Sequence, residues 1–260
     1  MLRNGEIVDK QIFPSPNPSI KLSIVTYISE GLKVKGLLAE PVQEGVYDGF
    51  LYLRGGIKNV GMVRAGRIIQ FASKGFIVMA PFYRGNLGGE GNEDFAGNDR
   101  FDAVNAFYLL MKHPQVNPDR IHVFGFSRGG VMALLTGIIC SNVRSVVSWG
   151  GVSDMFLTYE ERKDLRRMMK RVIGGTPKKY PDRYKWRTPL YYLEKMQAPV
   201  LIIHGGKDEN VSIEHAYRLE RRLKELGKQV DSWYFQHFSH HFPPRHNRMV
   251  LERMIKWMKN

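Results

Sequence analysis

A Gly-x-Ser-x-Gly motif at residues 125–129, placed between an apolar strand and an apolar helix, constrains this chain more than any other feature. Residues 121–124 are β-branched or aromatic and predict a short buried strand. Residues 131–140 are almost all apolar and predict a helix. Glycine suits the two outer motif positions, because a sharp turn brings them too close to neighbouring backbone for a Cβ atom. The pattern therefore predicts that Ser127 stands on a strained turn with its hydroxyl raised clear of the sheet.

Strand and helix patterns alternate along most of the chain. Near its start, residues 20–27 and 32–39 alternate apolar with polar side chains and predict an antiparallel hairpin that turns at residues 29–31. The strands predicted after it are 49–53, 76–80, 121–124, 143–149, 198–204 and 230–235, and the helices are 63–73, 99–112, 131–140, 212–226 and 245–258. We expect Asn98 or Asp99 to cap the helix over 99–112. This order predicts an α/β fold with a mostly parallel central sheet, helices on both faces and an N-terminal antiparallel hairpin.

The length of 260 residues and the hydrophobic content of 43% suit a single domain over residues 1–260. Residues 1–18 are expected to be a surface lead-in. The periodicity weakens over residues 150–197, which hold a basic helix and an aromatic stretch at 180–192. We expect this excursion from the sheet to cover the active site.

Composition argues against several classes of protein. The formal net charge is +14, but the basic clusters at 160–171 and 218–228 interleave acids at helical spacing, as solvated helix surfaces do. Without a nucleic-acid-binding motif, this charge predicts no nucleic-acid partner, although it is compatible with anionic ligands. There is no apolar run long enough to span a bilayer and no signal-peptide core, so we expect a cytoplasmic protein with no membrane partner. The only cysteine, Cys140, excludes an internal disulfide bond.

A serine nucleophile needs a base, and the base needs an orienting carboxylate. After a turn of this kind, the expected chain order is serine, acid, histidine. Asp208 is the favoured acid, because it follows the apolar strand predicted at 198–204 and a pair of glycines. Glu209 is its nearest rival, and Asp154, after an earlier strand, is a third candidate.

One of the histidines that follow Asp208 is expected to supply the base. They are His215, His237, His240, His241 and His246. We favour His240, with His241 as the alternative, because a loop after the last predicted strand can reach Ser127. His215 falls inside a predicted helix and is expected at the surface. The upstream histidines, His113, His122 and His204, are expected to be structural. The downstream cluster has no cysteine and no His-Glu-x-x-His motif, so neither a metal nor another cofactor is predicted.

An oxyanion hole needs two N–H donors. The backbone N–H of Arg128, next after the nucleophile, is the first candidate. The second is expected from the loop at residues 54–57, whose glycines let backbone approach a substrate closely. Gly56 and Ile57 remain equal candidates there.

With these residues placed, the chain resembles α/β-hydrolases, and specifically the catalytic domain of the prolyl-oligopeptidase and dienelactone-hydrolase group. The similarity runs from residue 49 to residue 260. The matching segments are Arg-Gly-Gly at 54–56, Tyr-Arg-Gly at 83–85, the elbow at 125–130, and residues 150–154, 187–190 and 198–208. Residues 239–242, Ser-His-His-Phe, resemble the Gly-His-x-Phe around the catalytic histidine of that group, which singles out His240.

The chain departs from that group at three points. Arg54 replaces the usual histidine or tyrosine before the oxyanion loop. Ser127 stands where dienelactone hydrolases have a cysteine, which favours ester or amide chemistry. The residues before position 49 are too few for the β-propeller that filters peptides in the oligopeptidases.

The resemblance and the three candidate side chains together predict a serine hydrolase that acts on carboxylic esters through an acyl-enzyme intermediate. Its substrate is expected to be a small-molecule ester or a short peptide. The first alternative is a small aminoacyl- or oligopeptidase, in which Glu90, Glu93 or Asp94 would hold the substrate amine. Alternatives from other classes are a non-catalytic ligand-binding protein with the hydrolase fold and a basic scaffold for an anionic polymer.

Overall fold

A single sheet organises the computed structural model, which describes residues 3–260. Its nine strands in the described residues are β1 (Ile7–Phe13), β2 (Ile20–Ser29), β3 (Leu32–Pro41), β4 (Tyr47–Leu53), β5 (Phe76–Pro81), β6 (Val116–Phe126), β7 (Ser145–Trp149), β8 (Val200–Gly205) and β9 (Val230–Phe235). Their order across the sheet is β1-β2-β3-β5-β4-β6-β7-β8-β9. The pairs that involve β1, β2 and β3 are antiparallel, and all pairs from β5 through β4 to β9 are parallel. The predicted α/β-hydrolase architecture, mostly parallel with an N-terminal hairpin, is confirmed.

Helices cover both faces of this sheet. They are α1 (Ala65–Ala72), α2 (Arg100–Met111), α3 (Arg128–Ile139), α4 (Met155–Glu161), α5 (Arg166–Ile173), α6 (Pro181–Trp186), α7 (Ile213–Glu225) and α8 (Pro244–Lys259), with 3₁₀ turns at Lys163–Leu165, Pro189–Tyr191 and Leu193–Lys195. The apolar sides of α1 and α8 pack in one core layer, and those of α2, α3 and α7 pack in the other. Strand β5 lies between the two layers with all of its residues buried, as expected for a parallel strand covered on both faces. Of the helices in residues 3–260, none has the length and apolar character that crossing a membrane requires.

The lead-in contains a strand that the sequence pattern did not predict. Strand β1 pairs antiparallel with β2, from Ile7 opposite Tyr27 to Phe13 opposite Leu22. Most of its side chains are exposed, and Ile12 is 82% exposed. Such an edge strand is held by backbone hydrogen bonds rather than by a buried face, so it leaves little periodicity in the sequence.

The start of α2 differs from the expected cap. Asp99 occupies the N-cap position, but its side chain makes no capping hydrogen bond. One of its carboxylate oxygens instead accepts a hydrogen bond from the guanidinium of Arg128 at 3.1 Å. The carboxylate of Asp99 therefore pairs with the buried Arg128 instead of capping α2.

The parallel strands bring distant loops together at one edge of the sheet. Strand β4 pairs with β6, and β6 is followed by β7, β8 and β9 in that order. The carboxyl ends of these strands lie at the same edge, where ligands bind in open α/β sheets. The loops that meet there are 54–60, 127–128, 206–212 and 236–243.

Candidate active site

Ser127 stands on a strained turn between β6 and α3. Its backbone has φ 57° and ψ −125°, a region that residues other than glycine rarely adopt. A Cβ atom at Gly125 would overlap the carbonyl oxygen of Gly129, and one at Gly129 would overlap that of Leu53. The N–H of Ser127 donates to the carbonyl of Trp149 at 3.1 Å, which ties the turn to the end of β7. The two motif glycines are therefore required by close backbone approach.

Asp208 and His240 are in direct contact. The Oδ2 atom of Asp208 lies 2.7 Å from Nδ1 of His240. The other carboxylate oxygen accepts hydrogen bonds from the backbone N–H groups of Asn210 and Val211, both at 2.9 Å. The Asp208 side chain is fully buried and that of His240 is 6% exposed. The loop after β8 thus fixes the carboxylate, and the carboxylate fixes the imidazole ring.

The environment of Asp208 favours its ionised form. Burial raises the pKa of this carboxyl group, but the hydrogen bond and charge of His240 and the two backbone N–H groups together outweigh burial. The pKa of Asp208 is consequently lowered from its ordinary value. Such an aspartate accepts a hydrogen bond from the Nδ1–H group of the imidazole, which keeps the proton on Nδ1 and leaves Nε2 free to act as a base.

Ser127 and His240 line one cavity of about 430 Å³. Within residues 3–260 the hydroxyl of Ser127 makes no hydrogen bond. The hydrogen bond between a serine nucleophile and its histidine base often tightens only when substrate binds. The ring of Phe126 packs 4.7 Å from that of His240 and holds it beside the elbow. His241 lines the same cavity, but it is more exposed, and no carboxylate in residues 3–260 contacts it to orient its ring.

The three predicted oxyanion donors also line this cavity. Arg128 is the first residue of α3, so its N–H has no partner within the helix. The loop of Gly56 and Ile57 lies against the elbow, since a Cβ atom at Gly55 would stand 2.7 Å from Cβ of Ser127. The N–H groups of Gly56 and Ile57 donate to no other group in the described part of the chain, so both remain candidates.

Glu93, which the sequence suggested as a residue to hold a substrate amine, is a buried carboxylate that joins the two oxyanion loops. The Oε1 atom of Glu93 accepts hydrogen bonds from the guanidiniums of Arg54, at 3.0 Å, and Arg128. Its Oε2 atom accepts from the backbone N–H of Lys58. The Glu93 side chain is fully buried. One carboxylate therefore contacts the loop after β4 at two points and the residue after the nucleophile at a third.

The sequence carried a partial signal for this cluster. Arg54 directly follows the strand predicted at 49–53, Arg128 lies four residues after the buried strand predicted at 121–124, and a buried guanidinium needs a carboxylate partner, but the sequence does not say which one. Burial and the nearby positive charge of Arg128 lower the pKa of Arg54, and the opposing effect of Glu93 does not offset them. Burial lowers the pKa of Arg128 as well, but Glu93 and Asp99 outweigh it and the net shift is upward. The departure at Arg54 is thus part of an ion-pair network beneath the site.

The acids expected to hold a substrate amine do not face the cavity. Glu93 is occupied by the two arginines, and Asp94 pairs with Arg187 at 3.3 Å. Glu90 is exposed and accepts a hydrogen bond from the N–H of Lys33. Among the described residues that line the cavity there is no aspartate or glutamate. The expected amine-binding role of Glu90, Glu93 and Asp94 is therefore wrong for this arrangement.

His215 is not at the surface as expected. It is 1% exposed, and its Nδ1 atom accepts hydrogen bonds from the backbone N–H groups of Ser153 and Asp154. Burial lowers its pKa to about 3, with smaller contributions from neighbouring positive groups. The periodicity of the sequence predicted helix α7 but not what packs on it. Residues of the excursion after β7 cover the face of α7 that bears His215.

The remaining candidates have structural contacts. Asp154 caps α4 through the N–H groups of Phe156 and Leu157 and pairs with Arg218, while Glu209 is exposed. The upstream histidines bond to neighbours as expected, His113 to Glu40, His122 to Ser145 and His204 to the carbonyl of Val211. The ring of His246 packs against Phe238. Within residues 3–260, no cluster of three potential metal ligands is present.

Comparison with known proteins assigns the chain to a family. The profile of the prolyl oligopeptidase family, peptidase family S9, matches residues 63–260. A Bacillus subtilis protein described as the uncharacterized peptidase YtmA is 66% identical over 98% of this chain and 99% of its own length. The chain belongs to the prolyl oligopeptidase family. It is a serine hydrolase, and the resemblance deduced from the motifs is confirmed.

Some of the other similar proteins are longer than this chain. The B. subtilis protein described as the uncharacterized peptidase YuxL is 28% identical, and the match covers 91% of this chain but 38% of YuxL. The fold of Pyrococcus horikoshii acylaminoacyl peptidase superimposes with a TM-score of 0.81 at 22% identity, over 94% of this chain and 42% of that one. Acetyl xylan esterase 1 from Thermoanaerobacterium superimposes with a TM-score of 0.74 at 16% identity, over 95% of this chain and 87% of the esterase chain. The two superpositions show a shared fold.

Proposed function

We propose that this chain hydrolyses carboxylic esters through an acyl-enzyme formed on Ser127, with His240 as general base and Asp208 as the residue that orients it. The observation that carries the proposal is the 2.7 Å contact between Asp208 Oδ2 and His240 Nδ1 beside a serine on a strained turn in one cavity. A nucleophile, a base and an orienting carboxylate are the three parts that acyl transfer requires.

In the proposed reaction, Ser127 Oγ attacks the carbonyl carbon while His240 Nε2 accepts the hydroxyl proton. The negative charge that develops on the carbonyl oxygen is stabilised by the N–H of Arg128 and that of Gly56 or Ile57. His240 then donates its proton to the leaving alcohol, and the ester bond breaks. A water molecule attacks the acyl-enzyme while His240 accepts its proton; the bond between the acyl carbon and Ser127 Oγ then breaks, His240 returns the proton to Ser127 Oγ, and the acid is released.

Apolar side chains shape the space for the acyl group. Phe95, Val152 and Val211 line the cavity near the elbow. Leu165 and Met168, both from the excursion between β7 and β8, line it as well. A cavity of about 430 Å³ with these walls suits a small apolar acyl group.

Peptide hydrolysis is the second candidate. It is supported by membership of the prolyl oligopeptidase family and by the description of YtmA as a peptidase. Because the described residues that line the cavity include no aspartate or glutamate, a free substrate amine has no counter-charge there. Under this alternative we therefore expect short peptides with a blocked amino terminus to be preferred.

The two candidates separate on a panel of chromogenic substrates. The panel consists of p-nitrophenyl acetate, p-nitrophenyl laurate, an aminoacyl p-nitroanilide and its N-acetylated form. We expect the acetate ester to give the highest kcat/KM. A comparable kcat/KM for the N-acetylated anilide would favour the peptidase instead.

A pair of serine variants tests the nucleophile. Ser127→Ala is expected to abolish turnover and labelling by a fluorophosphonate. Ser141→Ala makes the same change at an exposed position just beyond the opposite end of α3, so it is expected to retain both. An unlabelled wild-type protein without turnover would instead support the non-catalytic binding protein.

A further inference from the structure

A second groove adjoins the substrate cavity, and His240 lines both. Its volume is about 800 Å³, and it shares six lining residues with the first cavity, namely Tyr52, Gly61, Arg64, Phe126, His240 and His241. Its outer part is lined by residues of α1 and by Asn247 at the start of α8. Of these two spaces, Ser127 lines the first cavity and not the groove, whereas His240 lines both.

The groove carries positive charge without a counter-charge. Among the described residues that line it are Arg64 and Arg67, and there is no aspartate or glutamate. Arg64 is exposed, and its side chain has no hydrogen-bond or ion-pair partner within residues 3–260. Arg67 is half-buried and donates to the neutral amide oxygens of Asn247 at 3.0 Å and Gln70 at 3.3 Å, and it pairs with no carboxylate within residues 3–260. Both guanidiniums keep unused donors, since each carries five N–H groups.

The position of the groove indicates which part of a substrate enters it. In the proposed reaction His240 passes its proton to the leaving group, so that group must lie against the imidazole ring. Phe95 and Val152 line the first cavity and not the groove, whereas Arg67 lines the groove and not the first cavity. With the acyl group in the first cavity, the leaving group extends from His240 into the groove, past Arg64, which lines both, toward Arg67.

We propose that this groove binds a carboxylate carried by the leaving group, so that the enzyme acts on substrates whose departing alcohol or amine is itself an acid. The inference rests on the proposed hydrolytic function and narrows its substrate class. A planar guanidinium matches a carboxylate in charge and in hydrogen-bond geometry. A cationic leaving group would face two arginines with no acid among the described lining residues to offset the repulsion.

Matched acetyl esters test the proposal. The pair is meta-acetoxybenzoate, which releases an anionic phenol, and meta-acetoxybenzamide, which releases a neutral phenol of the same shape. The measured quantity is kcat/KM for the benzoate divided by kcat/KM for the benzamide, at low ionic strength. We expect this ratio to fall about tenfold in Arg64→Gln and about tenfold in Arg67→Gln, the effect of one lost charged hydrogen bond. Comparing variants cancels the intrinsic reactivity of the two esters.

The matched control is Arg248→Gln. Arg248 is exposed, directly follows Asn247 in α8 and does not line the groove, so its loss removes the same charge nearby. We expect the wild-type ratio in this variant. Arg64 has no side-chain partner in the described chain, so a change in Arg64→Gln cannot be attributed to a broken internal contact.

The outcomes distinguish a failure of the groove assignment from a failure of the proposed hydrolase function. Equal ratios in wild type, Arg64→Gln and Arg67→Gln, with turnover still lost in Ser127→Ala, would refute the groove and leave the hydrolase in place. If the wild type cleaves neither ester and resists fluorophosphonate, the proposed function fails and the groove assignment fails with it, because no leaving group is produced.

Discussion

Replacing Glu93 with glutamine tests whether the buried ion-pair network positions the oxyanion hole. The substitution keeps the size and shape of the side chain but removes the charge that Arg54 and Arg128 share. Asp99 remains as a partner for Arg128, whereas Arg54 loses its only carboxylate contact within the described chain. The change therefore acts on both loops that approach Ser127.

The expected loss of stability follows from the burial of the cluster. The side chains of Glu93, Arg54 and Arg128 are at most 2% exposed. Removing one partner of a buried ion pair costs about 3–5 kcal/mol. Glutamine keeps one oxygen as an acceptor, so we expect about 3 kcal/mol. For a chain of this size, such a change lowers Tm by about 6–12 °C.

Activity is expected to fall further than stability alone explains. Lys58 N–H is bonded to Glu93 next to the candidate donor Ile57, and the Arg128 side chain is held by the same carboxylate. A displacement of about 1 Å in a group that stabilises the transition state costs about 10²-fold in rate. We therefore expect kcat/KM for p-nitrophenyl acetate to fall about 10²-fold at temperatures well below Tm.

The matched control is Glu90→Gln, the same substitution at an exposed position three residues earlier in the chain. Surface changes of this kind usually alter stability by less than about 0.5 kcal/mol. Thermal melts and initial rates are to be measured on both variants side by side. If Glu93→Gln matches Glu90→Gln in Tm and in kcat/KM, the network does not support the site. A lower Tm with unchanged kcat/KM in the folded variant would restrict Glu93 to a structural role.

Three further predictions follow from single contacts. Asp208→Asn is expected to lower kcat/KM for p-nitrophenyl acetate by about 10⁴-fold, because an amide favours the wrong tautomer of the imidazole. Glu209→Gln, the corresponding change at an exposed neighbouring acid, serves as the control. Equal rates in the two variants would contradict the orienting role of Asp208. Gly55→Ala places a Cβ atom 2.7 Å from Cβ of Ser127, so we expect kcat/KM for p-nitrophenyl acetate to fall about 10²-fold. Wild-type turnover would show that the loop moves away without disturbing Ser127. His215, with a pKa of about 3 when folded and 6.5 when unfolded, binds its proton mainly in the unfolded chain between these values. The free energy of unfolding should therefore fall by up to about 1.4 kcal/mol per pH unit below 6.5, and urea titrations at pH 7.5, 6 and 5 should show a smaller slope for His215→Asn. Parallel slopes would contradict that assignment.

Much of the fold and part of the site were determined by local features of the sequence. The elbow was predictable because a strained turn needs glycine on both sides of Ser127, a requirement set by atoms within a few residues. The hairpin of β2 and β3 and the alternation of later strands with helices follow from side-chain periodicity, which is also local. The position of Asp208 after an apolar strand followed from the same pattern, and the structure then places it against His240.

Only the tertiary structure decided contacts between segments distant in the chain. Strand β1 joins the sheet through its backbone, His215 is buried by the excursion after β7, and Asp99 turns from its helix to Arg128. Glu93 lies 39 residues from Arg54 and 35 from Arg128, and no periodicity links them. These pairings depend on which strand ends become neighbours at the sheet edge. That neighbourhood is set by the free energy of the whole packed core, and so it leaves little signal in any short stretch of sequence.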